Sequence, residues 1–150
     1  MFKPDCKETD HWQTPQNLKD AISREIGPFN HFYDPCPNNP DYDGLNRNVF
    51  WDNNSYINPP YSTGLQLLWA KECVFRVYHD GGVDLCLLLI RFDPTTDHFK
   101  YLMGRCSIVW MPSKRLKFIG AKDSYNFPLA LYQIQPNPPK WPAFQTLEIK

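Results

Sequence analysis

The chain has 150 residues, 42% of them apolar and 15% aromatic, and sixteen basic side chains balance sixteen acidic ones. This length and composition fit one folded, globular domain over 1–150. Zero net charge gives no support to bulk nucleic-acid affinity, no apolar run reaches the length of a membrane span, and Met1-Phe2-Lys3-Pro4-Asp5 does not begin a signal peptide.

Taken in chain order, the elements alternate. Thr14-Pro15 predicts a helix start, with Thr14 as N-cap and Pro15 at the first helical position. Leu18, Ile22 and Ile26 follow at i, i+4, i+8, and Gly27-Pro28 ends the helix. Phe32-Tyr33 reads as a short strand ending at Asp34, and residues 35–54 are polar and rich in turn signals. Tyr56-Ile57 predicts a second short strand. Residues 65–79 predict a helix with Leu65, Leu68, Trp69 and Cys73 on one face, broken by Gly81-Gly82. Val83 to Ile90 is almost continuously apolar, as in a strand buried on both faces. A shorter helix from about Thr95 carries Phe99, Leu102 and Met103. Cys106 to Met111 and Leu129 to Ile134 read as strands, and a Pro-rich tail occupies 135–150. The expected fold is α/β, a sheet with helices on both faces. In such sheets ligands sit beyond the carboxyl ends of the strands, where both Asp34 and Asn58 fall.

Five cysteines (6, 36, 73, 86 and 106) lie no closer than thirteen residues apart, which disfavours zinc and disulfide frameworks and suits a reducing, cytoplasmic compartment. Charge is unevenly spread. Residues 1–55 hold nine acids and five bases, whereas 98–122 hold six bases (Lys100, Arg105, Lys114, Arg115, Lys117, Lys122) and no acid. Such a stripe can contact phosphates; the plainer reading is a solvated face.

Asn58-Pro59-Pro60-Tyr61 carries the most information. Two prolines fix φ and bias their neighbours toward extended backbone, so the tetrapeptide predicts a stiff corner at a strand end. Composition alone would give about 0.006 copies of it. The corner places an amide, a bare carbonyl and an aromatic ring in fixed relation, a set suited to gripping the exocyclic amine of a base drawn out of its stack. Asn137-Pro138-Pro139-Lys140 lacks the ring and reads as structural.

Trp12-Gln13-Thr14-Pro15, Asp34-Pro35-Cys36-Pro37, Asp43-Gly44-Leu45, Asn58-Pro59-Pro60-Tyr61-Ser62, Arg115-Leu116-Lys117-Phe118 and Phe127-Pro128 occur in an order that resembles the phage-type DNA N6-adenine methyltransferases, over roughly residues 11–134. The resemblance implies a single-domain, Rossmann-like class I methyltransferase sheet and site-specific methyl transfer from S-adenosylmethionine to N6 of a flipped adenine. It implies catalysis by Asn58, Pro59, Pro60 and Tyr61, and cofactor contacts from Trp12, Gln13, Thr14, Asp34, Pro35, Cys36 and Asp43. Thr14 at a helix start would face the methionyl carboxylate, Asp34 the ammonium, and Asp43 the ribose. The expected partner is DNA, with RNA left open, met by Lys114, Arg115 and Lys117; no metal is required. N4-cytosine methylation and a non-catalytic nucleic-acid-binding relative are the alternatives.

The adenine N6 lone pair is delocalised into the ring and is a poor nucleophile. Acceptors from Asn58 and the Pro59 carbonyl would favour a pyramidal nitrogen, and Tyr61 would stack on the base. Three departures stand out. No Gly-rich loop follows Asp34. About twenty residues between Asp34 and Tyr56 leave no room for two further strand–helix units, so the sheet is expected to be trimmed. Asp93 stands where the family pattern suggests a base.

Overall fold

A computed structural model describes residues 13–37, 43–62, 64–79 and 82–150. Among the described residues, helix α1 spans Gln16–Glu25, strand β1 Asn54–Ile57, α2 Leu65–Tyr78, β2 Leu85–Arg91, α3 Asp97–Leu102, β3 Ile108–Pro112, β4 Leu129–Ile134 and β5 Ala143–Leu147. The strands form one mixed sheet in the order β1-β2-β4-β3-β5. The β1/β2 and β3/β5 pairs are parallel, and β4 runs antiparallel to both its neighbours. The chain is therefore α/β with a five-stranded mixed sheet among the described residues.

Strand alternation divides the core into two layers. Leu87 and Leu89 of β2, with Tyr56 and Leu131, pack beneath Leu18, Ala21 and Ile22 of α1. Cys86, Leu88 and Ile90, with Ile57, Ala130 and Tyr132, pack beneath Leu65, Trp69, Cys73 and Val77 of α2 and Leu102 of α3. Helices thus cover both faces, and the apolar run of β2 is buried because each face meets one.

Several boundaries differ from the sequence reading. The expected strand at Phe32-Tyr33 is reduced to one parallel bridge between Tyr33 and Ser55 at the outer side of β1. The Thr14 N-cap is corrected by one residue: Pro15 is the N-cap of α1, no side chain caps it, and the Thr14 hydroxyl turns to Tyr56 instead. Thr96 caps α3, its hydroxyl accepting from the Phe99 N–H. The tail is no appendage, since β5 within it pairs with β3 along five residues of register.

Leu68 is exposed, contrary to its expected place on the apolar face of α2, while Gln66, Glu72 and Arg76 are buried. A second layer on that helix explains the exchange. The segment from Asp43 to Trp51 folds against α2, and Arg76, 1% exposed, reaches into it. Its guanidinium donates to the Val49 carbonyl at 2.6 Å and the Asn46 carbonyl at 3.0 Å, pairs with Glu72 at 3.0 Å, and lies over the Trp51 ring. Trp51 donates its indole N–H to the Gly44 carbonyl. Residue 44 must be glycine here, because any side chain would collide with the Pro35 carbonyl.

Breaking a buried, hydrogen-bonded ion pair costs up to about 3–5 kcal/mol, and loss of Arg76 would leave Glu72 to the exposed Arg47 and take the guanidinium donor from the Asn46 and Val49 carbonyls. Arg76→Ala is expected to lower the urea midpoint by more than Arg47→Ala, whose side chain meets Glu72 from solvent. Equal midpoints for the two variants would refute the clamp.

Candidate functional site

The corner at Asn58 leaves the carboxyl end of β1 and returns to α2 through Gly64, whose φ of 84° lies in the left-handed region that suits glycine. Pro59 is buried and Pro60 half-buried. The Tyr61 hydroxyl donates to Asn58 Oδ1 at 2.9 Å, and the half-buried Tyr61 ring meets Phe118 at 6.1 Å and Tyr125 at 5.3 Å. Burial, with Tyr56 and Tyr125 nearby, holds the Tyr61 phenol well above its usual range, so it remains a donor at neutral pH.

Gln66 joins this corner to the next strand. Its amide nitrogen donates to the Tyr61 carbonyl at 3.3 Å, and its amide oxygen accepts from the Arg91 N–H at 2.9 Å. The carboxyl ends of β1 and β2 are thereby tied by one buried side chain. Neither Gln66 nor Tyr56 was marked as a site residue by the sequence. A Gln on an apolar helix face next to an Asn-Pro-Pro corner was the available signal for the first.

Beside the corner lies a polar group around Tyr56. Its hydroxyl and that of Thr14 share a buried hydrogen bond of 2.8 Å. Burial keeps the Tyr56 phenol protonated, with Asp34 close enough to add to the effect. Asp34 accepts the Cys36 N–H at 2.8 Å, a local turn bond typical of Asp. The residue has solvent on one side, but protein crowds its carboxyl on the others. That loss of water pushes its pKa from 3.8 up to about 6, against the opposing pull of the Cys36 N–H and Lys19. Asn17, in the first turn of α1, holds a buried side-chain oxygen with no hydrogen-bond partner among the described residues.

The remaining predicted residues divide. Trp12 lies outside the described residues. Gln13 is exposed and pairs through its backbone with Ile119, joining the start of α1 to the loop after Phe118. Pro35 is buried and Cys36 half-buried against the α2 layer. Asp43 accepts the Leu45 N–H at 3.0 Å, so its carboxylate shapes the turn of its own loop. Asp93 does the same for Thr95, accepting both its N–H and its hydroxyl, which draws its pKa down.

The basic stripe is not one face. Arg105 precedes β3 and Lys114 follows it, so the strand separates them beyond its opposite ends. His98 is buried against the Arg91 carbonyl. Lys114, Arg115 and Lys117 are exposed beyond the end of β3, on the same edge as Asn58. Arg115 donates to the Tyr125 and Asn126 carbonyls, so it also anchors the loop that carries Tyr125.

Among the described residues no group of three or more His, Cys, Asp or Glu stands together as a metal site, and no helix is long and apolar enough to cross a membrane. Compared with protein-family models, curated proteins and solved structures, the chain matches none.

A carboxyl whose pKa is higher folded than unfolded binds its proton more tightly in the native state, so it favours folding below the unfolded value and loses that contribution as pH rises through the folded value. Asp34 therefore weakens the fold between about pH 4 and pH 6. Asp34→Asn should remove this slope and leave stability at pH 7 equal to wild type or higher. Melting curves from pH 4 to 7 test this; a variant less stable than wild type at pH 7 alone would show that the carboxylate is held by a favourable partner.

Proposed function

We propose that the chain is a single-domain, S-adenosylmethionine-dependent methyltransferase acting on N6 of a flipped adenine in DNA. The carrying observation is the placement of the Asn58-Pro59-Pro60-Tyr61 corner at the carboxyl end of β1, on the same sheet edge as Thr14, Asp34 and the uncapped start of α1. Tyr33, β1 and β2 run parallel side by side. A parallel run of this kind supports reading the segment as the inner part of a doubly wound sheet, although the antiparallel β4 beside β2 departs from an all-parallel order. The corner stands where such sheets take their ligands.

The residues present suit a zwitterionic cofactor. The uncapped N-terminus of α1 favours a carboxylate, Asp34 favours an ammonium, and the orphaned Asn17 oxygen offers a further acceptor. The cofactor, when bound, supplies an activated methyl group. What remains for the chain is to position the acceptor amine. Asn58 Oδ1, oriented by the Tyr61 hydroxyl, and the Pro59 carbonyl would each accept a hydrogen from the adenine amine, holding it pyramidal and stabilising positive charge as it develops. Gln66 keeps the corner rigid against β2, so the acceptors need not reorganise. The exposed part of the Tyr61 ring supports the base.

Asn58→Ala is expected to abolish methyl transfer while leaving cofactor affinity nearly unchanged, read by mass spectrometry of nucleosides after incubation with mixed DNA and labelled cofactor. Methylcytosine in place of methyladenine would move the activity to the cytosine amine. Retention of most of the wild-type rate by the variant would remove Asn58 from the chemistry.

Asp34 supplies the second test. An ammonium partner favours the carboxylate, so cofactor affinity should fall as pH drops through about 6 and should be weak and flat with pH in Asp34→Ala. Calorimetric titration measures both. The second reading, a non-catalytic nucleic-acid binder, is favoured by the hydrogen bond that already engages Asn58 with Tyr61, and it predicts no cofactor heat at any pH.

A further inference from the structure

The Asn58 corner continues along the sheet edge into an open groove of about 290 Å³, whose lining includes Phe92, Met111, Lys114, Arg115, Phe127 and Pro128. A row of rings connects the two. Tyr61 meets Tyr125 at 5.3 Å, and Tyr125 meets Phe127 at 5.8 Å between centroids. Phe127 is 48% exposed and is backed by the Arg91 guanidinium, 3.7 Å from its ring centre. Gln66 holds the Arg91 backbone and the Tyr61 carbonyl together, so groove and corner keep a fixed spacing.

The chemistry of this row is specific. Rings 5–6 Å apart are spaced more widely than the roughly 3.4 Å rise of stacked bases, so they suit a strand whose stacking is already broken. Exposed rings beside lysine and arginine are what unstacked nucleic acid requires: faces for bases and cations for phosphates. The groove lining contains two cations and no acid. An acidic peptide would satisfy the cations but would leave the ring row without a use.

We infer that the groove receives the nucleotide adjacent to the extruded adenine, its base stacked on Phe127 and its phosphate facing Lys114 and Arg115. This rests on the corner being the adenine grip. Phe127 then sets which strands bind productively, by requiring a stackable base at one side of the target.

The test uses the full chain and short labelled oligonucleotides with one adenine among thymines, either intact or with an abasic residue on one side of the adenine. Wild-type protein should bind one of the two abasic strands about tenfold more weakly than the intact strand, the loss of one stacked base. Phe127→Ala should show that loss on the intact strand and no further loss on the abasic one, and Phe127→Trp should restore the difference. Equal wild-type affinity for all three strands, or no binding to any, overturns the groove assignment without recourse to a variant. Methyl transfer is followed on the same strands. Product without dependence on the neighbouring base retires the groove alone, whereas dependence without product keeps the groove and retires the methyltransferase reading.

Discussion

Burial of the Arg76 guanidinium inside the turn of residues 43–51 is the constraint on which the rest of this small fold depends. Among the described residues the sheet stops at β1, with only the Tyr33 bridge beyond it, which leaves the outer flank of α2 without a neighbouring strand–helix unit. A loop must fill that space, and a loop brings unpaired carbonyls with it. Arg76 satisfies two of them, those of Asn46 and Val49, while Glu72 balances its charge one helical turn away. Stacked Trp51 and Trp69 supply the apolar part of the same contact. Polar and apolar parts hold each other in place, which is why α2 carries a buried ion pair on a helix otherwise packed with Leu, Val and Trp.

The position of this loop also decides the neighbourhood of Asp34. Gly44 lets the returning chain touch the Pro35 carbonyl, and the turn at Cys36 occupies one oxygen of the carboxyl. Crowding of the remaining surface raises the Asp34 pKa, so the group sits near its titration point at mildly acidic pH instead of being fully ionised. Perturbed carboxyls of this kind concentrate at binding sites, because a ligand charge can recover what burial has cost. The adjacent Thr14–Tyr56 pair, protonated and buried, adds hydroxyl groups without adding charge.

A second organising feature is the side-to-side linkage of the carboxyl edge. Gln66 couples β1's corner to the end of β2, the Phe92 N–H donates to the Pro128 carbonyl just before β4, and Arg115 anchors the loop before that strand. Each connection is made by a residue just outside a strand. The edge therefore behaves as one surface, on which the acceptors of the corner and the rings of Tyr61, Tyr125 and Phe127 keep their order.

Periodicity and turn chemistry in the sequence determined the alternation of elements, the doubly buried β2 and the corner at Asn58, because each depends on local backbone preference or on an apolar run that only one environment tolerates. The short interval between Asp34 and Tyr56 likewise limited what could stand between them, since about twenty residues cannot hold two strand–helix units. Tertiary structure decided the rest. Leu68 is exposed and Arg76 buried because a distant loop, not the helix's own apolar face, covers that side of α2. The strand in the Pro-rich tail exists because β3 offers it an edge, which no local signal records. Thr14 bonds Tyr56 across forty-two residues instead of capping its own helix, and the basic residues of 98–122 part to opposite ends of β3 because that strand runs between them. Contacts between residues remote in sequence are invisible to local pattern, and the packing that creates them is settled only when the two faces of the sheet close.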